Sequence, residues 1–249
     1  MTLLTPAIGR SADHRYTFQG VTYPSVTTIL NILDKSGPLM AWSAKETAKA
    51  AVRLLEDGTL PRLVATVGAE GAIKALTAKS TWERDEAARI GTQIHQWADD
   101  HVNGRPVAYT DGVIAKRVEL YAGWWSSSGW KLRISEAAVV SPNGGYGGTF
   151  DLLAYDADGK TVLADIKTGK GVYAETALQL AAYGMAEYVS PLGSAQVYPM
   201  PEPDRYVVVH VTEAGVREIE MAVGDAERAA FYAAAALSAW RESTKGRRL

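Results

Sequence analysis

The sequence contains no cysteine, and this absence excludes several kinds of site. Disulfide bonds, thiolate-bound zinc and iron–sulfur clusters all need cysteine sulfur, and none of the 249 residues supplies it. Any metal ion that the protein binds must therefore be held without thiolate ligands. In a carboxylate-rich site, oxygen ligands favour Mg²⁺ or Mn²⁺.

The sequence also lacks a strong net charge and long apolar runs. The formal net charge is −2, so no overall positive charge indicates a protein that coats nucleic acid. The N-terminus has no apolar core of a signal peptide. The most apolar windows, 177–189 and 229–240, are too short to cross a bilayer. We therefore expect a cytoplasmic protein that does not act at a membrane.

Helical patterns dominate the first half of the chain. A short hairpin over Tyr16–Tyr23 precedes a helix that starts at Ser25 and is broken by Pro38. Thr81 is a candidate N-cap for a later helix. The predicted helices then cover Leu39–Asp57, Leu63–Thr77, Trp82–Asn103 and Asp111–Ser127.

Strand patterns dominate the second half. Apolar, β-branched segments bounded by turn residues predict strands, and two further segments have helical periodicity. This pattern predicts an α/β (α+β) fold with a central mixed β-sheet flanked by helices. The predicted strands are Leu132–Val140, Gly147–Tyr155, Thr161–Lys167, Arg205–Thr212 and Val216–Ala222, and the helices are Tyr173–Val189 and Asp225–Arg241.

The chain has no repeat or low-complexity linker, so we expect one domain over residues 1–249. Its composition is 47% hydrophobic, enough for one sizeable core. Residues 1–130 would form a mainly helical wall, 131–223 the sheet, and 224–249 a last helix with a basic tail.

The segment Gly147–Lys170, GGTFDLLAYDADGKTVLADIKTGK, carries the clearest chemical signal. It is typical of a β-hairpin with Asp151 on the first strand and Asp165 and Lys167 on the second. Side chains alternate along a strand, so Asp165 and Lys167 project from the same face. Two carboxylates can hold a hard divalent cation. A neighbouring lysine can orient a water or offset charge on a phosphate.

Further residues complete an ordered pattern around this hairpin. His95 lies upstream on a predicted helix, Glu136 lies on the preceding strand, and Gln179 and Tyr183 follow four residues apart on one helix face. This ordered set resembles the PD-(D/E)XK nuclease superfamily, in particular its RecB-like branch. The resemblance spans roughly residues 95–183.

The resemblance implies a restriction-endonuclease-like core and a role for each matched residue. Mg²⁺ or Mn²⁺ would be held by His95, Asp151, Asp165 and the Ile166 carbonyl. Lys167 would assist the attacking water or the developing negative charge, and Glu136 would contact that water or a second metal ion. Gln179 and Tyr183 would position DNA, and Lys170, which is outside the matched set, is a further candidate for contact with the DNA phosphates.

The absence of cysteine departs from the CRISPR-associated and helicase-linked RecB-like members that carry an iron–sulfur cluster. The chain is more similar to the simpler phage-type exonucleases. The resemblance therefore implies a divalent-metal-dependent DNA exonuclease acting in recombination, repair or phage replication on a duplex end or a single strand. A toroidal trimer and a single-strand annealing partner are further analogies, which no residue in the sequence decides.

Two other hypotheses stay open from the residues alone. Asp165 and Lys167 could be a surface ion pair worth little, and His95 could be structural. The protein would then be a non-catalytic DNA-binding or assembly subunit that retains the nuclease fold. Alternatively, the same site could hydrolyse RNA or another phosphodiester, because no sequence feature separates DNA from RNA.

Overall fold

The computed structural model of the protein describes residues 7–33, 36–106 and 112–245. Its contacts divide the chain into two compact units. The sheet unit combines the described residues up to Leu33 with those from Gln93 onward, and the helical unit comprises those between Asp34 and Thr92. The predicted helix start at Asp111 and the end of the basic tail lie outside the described residues.

The elements are numbered in chain order. They are β1 (Gly9–Arg10), β2 (Tyr16–Phe18), β3 (Val21–Tyr23), α1 (Val26–Leu30), α2 (Ser36–Glu56), α3 (Thr59–Val102), α4 (Gly112–Ser128), β4 (Lys131–Ser141), β5 (Tyr146–Tyr155), β6 (Thr161–Lys167), α5 (Glu175–Gly184), β7 (Tyr188–Pro191), β8 (Tyr198–Pro199), β9 (Arg205–Thr212), β10 (Gly215–Glu220) and α6 (Asp225–Thr244).

A seven-stranded mixed sheet dominates the described part of the sheet unit, in the order β10-β9-β6-β5-β4-β7-β8. β6 and β9 are parallel, and the other neighbouring strands are antiparallel. Helices α1, α5 and α6 share a core with the sheet, as their apolar side chains show. Members of this shared core include Val26, Leu163, Leu180, Val208 and Phe231. The predicted mixed sheet flanked by helices is confirmed.

The central strands were predictable because they are apolar almost throughout. β6 and β9 have the predicted bounds, and their interior residues are buried without alternation. A strand covered on both faces selects such a run. α5 is shorter than predicted, since it begins at Glu175 and ends at Gly184, and Val189 lies in β7. The prediction of one helix over Tyr173–Val189 is therefore wrong at both ends.

A small sheet of β1, β2 and β3 precedes α1. It confirms the predicted hairpin over Tyr16–Tyr23 and adds β1. The Gly147 N–H donates to the Pro24 carbonyl at 3.0 Å, which ties the end of the small sheet to β5. Ser25 is the N-cap of α1, because its Oγ accepts from Thr28 N at 3.0 Å.

Two predicted helix boundaries are wrong. α1 ends at Leu30, and Pro38 instead lies in the first turn of α2, where a proline removes no helical hydrogen bond. Thr81 does not start a helix, because α3 continues through it. The break in α3 is at Gly68, whose φ of 74° is readily adopted only by glycine.

No helix of the described residues combines the length and the apolar character needed to cross a membrane.

Candidate metal centre

The candidate metal centre lies where β5 and β6 stop pairing. Their hydrogen-bonded ladder ends with Leu152 opposite Ala164. Beyond that pair, the Ile166 N–H donates to Oδ2 of Asp151 at 2.5 Å. The Asp151 side chain thus takes the place of a backbone acceptor and is fixed between the two strands.

Glu136 is brought beside Asp151 from the other neighbouring strand. Ser135 pairs with Leu152 and Ala137 pairs with Phe150, so the register places Glu136 opposite Asp151. The backbone of Glu136 has a φ of 43°. This left-handed conformation is uncommon for a residue other than glycine, and such strain is concentrated at functional sites.

His95 completes a compact group of possible metal ligands. It lies on the part of α3 that belongs to the sheet unit. Its Nδ1 is 3.2 Å from Oδ1 of Asp151. One ligand atom from each of His95, Glu136 and Asp151 lies within 4.8 Å of the other two. Three residues that are far apart in sequence therefore offer one nitrogen and two oxygens to a single point.

Asp165 and Lys167 form an ion pair in the same fork. Nζ of Lys167 is 2.7 Å from Oδ2 of Asp165, whose side chain is 4% exposed. The distance is that of an ion pair, but Oδ2 has no hydrogen-bond partner of good geometry among the described residues. The Lys167 charge thus offsets the Asp165 charge within the fork.

Gln179 and Tyr183 support Asp165 from α5. The Gln179 side-chain amide donates to Oδ1 of Asp165 at 3.1 Å and to the Tyr183 hydroxyl at 3.0 Å. Tyr183 is buried, and its ring occupies the space above Gly148 that a Cβ would fill. The four-residue spacing thus brings both side chains to one point. Their described contacts are within the protein, and a role in positioning DNA remains a prediction.

Lys170 and Ile166 have different positions from the other predicted residues. Lys170 is exposed just after β6. The two residues before Lys170 are held through their backbone carbonyls. Arg117 donates to Thr168 O at 3.1 Å, and Nε2 of His210 lies 2.8 Å from Gly169 O. Ile166 has a buried side chain and gives its N–H to Asp151. Metal binding by its carbonyl remains a prediction.

The electrostatics of the centre reflect its crowding with carboxylates. Burial raises the pKa of Glu136 to about 7, with the Asp151 charge acting in the same direction. Burial and the same charge raise the pKa of Asp165 to about 6. Closely spaced carboxylates in a buried site resist ionising together. The centre therefore has a negative potential that a divalent cation would neutralise.

The remaining groups are shifted toward their charged forms. Burial acts to raise the pKa of Asp151, but His95 and the Ile166 N–H outweigh it and hold the pKa below 3.8. Burial opposes protonation of His95, yet Asp151 raises its pKa to about 9. Burial likewise opposes the charge on Lys167, but the Asp165 carboxylate raises its pKa above 10.5. Lys167 is therefore an ammonium ion at neutral pH.

Two hydrogen-bonded pairs that support the candidate metal centre were not predicted from the sequence. Asp99 lies one helical turn after His95 and accepts from the Ser135 hydroxyl at 2.6 Å, which connects α3 to the strand that carries Glu136. Tyr16 of β2 shares a hydrogen bond of 2.7 Å with Thr149 on β5. The i, i+4 spacing of His95 and Asp99 was a usable signal. Nothing in the sequence pairs residues 16 and 149.

The donor set fits a small divalent cation. It offers one imidazole and three carboxylates, from His95, Glu136, Asp151 and Asp165, in a partly buried fork. Hard cations prefer such oxygens, and an added imidazole nitrogen suits Mn²⁺. These four residues are the ones that would hold the ion.

Comparisons with known proteins add little to this geometry. No protein-family model matches the chain, and no curated protein matches it. Among solved structures, the chain is similar to the crystal structure of SSO0001 at 16% sequence identity and a TM-score of 0.31. That match covers 50% of this chain and 56% of SSO0001. A likeness at this level carries no argument about function.

Proposed function

We propose that the protein is a divalent-metal-dependent DNA nuclease, an exonuclease of the RecB-like PD-(D/E)XK type that hydrolyses phosphodiester bonds. One observation carries the proposal. The ligand atoms of His95, Glu136 and Asp151 converge within 4.8 Å, beside the ion pair of Asp165 and Lys167. An isolated acidic cluster is common on proteins, but a half-buried lysine held against it supplies a second element of phosphate chemistry.

The metal ion is assigned to His95, Asp151 and Asp165, with Glu136 and the Ile166 carbonyl as further ligands. When bound, Mg²⁺ or Mn²⁺ lowers the pKa of a coordinated water and offsets phosphate charge. Asp151 is the carboxylate best suited to anchor the ion, because its pKa is held low. Its second oxygen stays fixed by Ile166 N–H.

Lys167 is assigned to charge stabilisation rather than to proton abstraction. The Asp165 carboxylate, 2.7 Å away, keeps it protonated. An ammonium ion in a partly buried site stabilises negative charge that develops on the phosphate in the transition state. Gln179 is a positioning residue, since it holds Asp165 and does not itself reach the fork as a ligand.

The test is a time course on end-labelled linear duplex and single-stranded DNA in Mg²⁺, in Mn²⁺ and in EDTA. Wild type is compared with Lys167→Ala, Asp151→Asn and the control Lys160→Ala. Lys160 is exposed in the turn of the same hairpin. We expect cleavage by wild type and Lys160→Ala only with metal. Loss of one charge-stabilising group reduces the rate about 100-fold or more.

Three outcomes would count against the proposal. Cleavage by a folded Asp151→Asn protein would contradict the assignment of the metal centre. Binding of DNA without cleavage in either metal would favour the non-catalytic DNA-binding subunit. Preferred cleavage of a matched RNA strand in competition would reassign the substrate while keeping the centre.

A further inference from the structure

The small sheet places one arginine on the side of Tyr16, a residue that contacts the strand carrying Asp151. Arg10 on β1 is directly opposite Tyr16 on β2. Side chains of directly opposed residues lie next to each other on the same side of a sheet. The Tyr16 hydroxyl is 2.7 Å from Oγ1 of Thr149, two residues before Asp151 on β5. The Tyr16 ring also fills the space above Gly147.

Arg10 is exposed, and its guanidinium forms no ion pair among the described residues. Its guanidinium donates to Nδ1 of His14 at 3.0 Å, and no carboxylate of the described residues lies within ion-pair distance of it. The turn that carries His14 is well ordered by hydrogen bonds. Ser11 Oγ accepts from Arg15 N at 3.1 Å and donates to Asp13 at 2.5 Å. Arg10 thus lies on β1 directly before a turn that is closed by hydrogen bonds.

An anionic substrate needs positive charge near the metal centre. The carboxylates of Glu136, Asp151 and Asp165 outnumber the ammonium group of Lys167, so a further positive charge beside them would favour binding of a phosphate. Guanidinium groups bind phosphate oxygens in a bidentate geometry.

We propose that Arg10 binds a backbone phosphate of the nucleic-acid strand next to the scissile one and so positions that strand across the metal centre. The inference rests on the proposed nuclease function and extends it to the small sheet. Arg10 is a strand-positioning residue and is not assigned to the reacting atoms.

The experiment separates phosphate binding from a general charge effect by comparing Arg10→Ala with Arg15→Ala. Arg15 lies in the same hairpin, is exposed and is already paired with Asp13 at 3.5 Å. Binding of a fluorescein-labelled single-stranded oligonucleotide is measured at several salt concentrations in the Lys167→Ala background with Mg²⁺. Steady-state cleavage is measured in the wild-type background, and circular dichroism confirms folding.

We expect Arg10→Ala to weaken binding about tenfold, as for one lost hydrogen bond to a charged group. The slope of log Kd against log salt should fall by about 0.7, as for one lost phosphate contact on a single strand. In cleavage the loss should appear mainly in KM, with partial rescue by Arg10→Lys. Arg15→Ala should have the same Kd, the same salt slope and the same KM as its parent protein.

Equal binding and equal salt slope for Arg10→Ala and Arg15→Ala would overturn the inference. It would also be overturned if Arg10→Ala raised only the metal concentration needed for activity. Arg10 would then serve to balance the charge of Glu136. A wild type that cuts no DNA would contradict the nuclease proposal alone, because the binding comparison still decides whether Arg10 contacts a phosphate.

Discussion

Glu136 has the least favourable backbone conformation within the candidate metal centre. Its φ is 43°, although both neighbours pair regularly with β5. A left-handed conformation costs an L-residue about 1–2 kcal/mol. The strand pairing on either side holds Glu136 in this conformation. In it, the Glu136 carboxylate lies close to His95 and Asp151. Such strain is what a site selected for its chemistry shows.

Replacing Glu136 by glycine should therefore stabilise the protein and impair cleavage. Glycine adopts a positive φ without strain, so we expect the free energy of unfolding to rise by about 1 kcal/mol. We expect metal-dependent cleavage to fall at least tenfold, which corresponds to about 1.4 kcal/mol. Urea unfolding and the end-label assay measure the two effects. Glu136→Gln is the control that retains the strain, and a Gly variant less stable than this control would contradict the argument.

The sequence could predict most of the site residues but not how they converge. Asp151, Asp165 and Lys167 lie in one hairpin, so their proximity follows from strand pairing alone. His95 is 56 residues from Asp151 and meets it through tertiary packing. The φ of Glu136 has no signal in a segment that otherwise alternates as a strand, because it depends on the register with β5.

The hairpin of β5 and β6 is closed by one aspartate at its turn. Oδ1 of Asp156 accepts from Asp158 N at 3.0 Å and from Lys160 N at 2.9 Å. Its Oδ2 accepts from Arg205 of β9 at 2.8 Å. Asp156 thus fixes the turn and joins it to the parallel strand. The same hairpin carries Asp151 and Asp165 at its other end, so its register matters to the site.

The Asp156 carboxylate should contribute to the free energy of unfolding at neutral pH, and this contribution should be lost in acid. Burial acts to raise its pKa, but Arg205 and the turn amides hold the pKa below 3.8. Its folded pKa is thus lower than its unfolded one, so the stabilisation is complete well above pH 4 and is lost as pH falls through the lower value. We expect Asp156→Asn to reduce the free energy of unfolding by about 1 kcal/mol at pH 7.

Urea unfolding across the pH range would measure this effect, with Asp158→Asn as the matched control in the same turn. Asp158 is exposed, and only its backbone N–H takes part in the turn. The difference between the two variants should shrink as the pH falls below 4. A difference that is independent of pH would show that the Asp156 charge has no part in closing the hairpin.

Elements were predicted well where burial is uniform and poorly where packing sets the boundary. β6 and β9 are recognisable as apolar runs. The end of α5 depends on contacts between elements far apart in sequence, since Gly184 leaves room for the Tyr206 hydroxyl and Val189 pairs with Val139 in the sheet. α3 passes through Thr81 because local N-cap propensity is weak compared with helix continuation.

The two units differ sharply in how much apolar surface they bury. In the helical unit, Ala50 and Ala72 are the only buried residues among its described side chains. Met40, Trp82 and Leu55 are 70%, 64% and 60% exposed. The sheet unit instead has a large contiguous core. Since helices owe most of their stability to packing of an apolar face, the helical unit should open first.

Hydrogen exchange with and without Mn²⁺ should resolve this difference across the whole molecule. Amides of α2 and of α3 up to Thr92 should exchange through local opening at low free energy, whereas β5, β6 and β9 should need global unfolding. All assigned metal ligands belong to the sheet unit. Mn²⁺ at 100 times its Kd should therefore raise the opening free energy of the sheet by about 2.7 kcal/mol. It should leave exchange in the helical unit unchanged, and Asp151→Asn should abolish the effect. Equal protection of both units by Mn²⁺ would mean that the protein unfolds as one cooperative body.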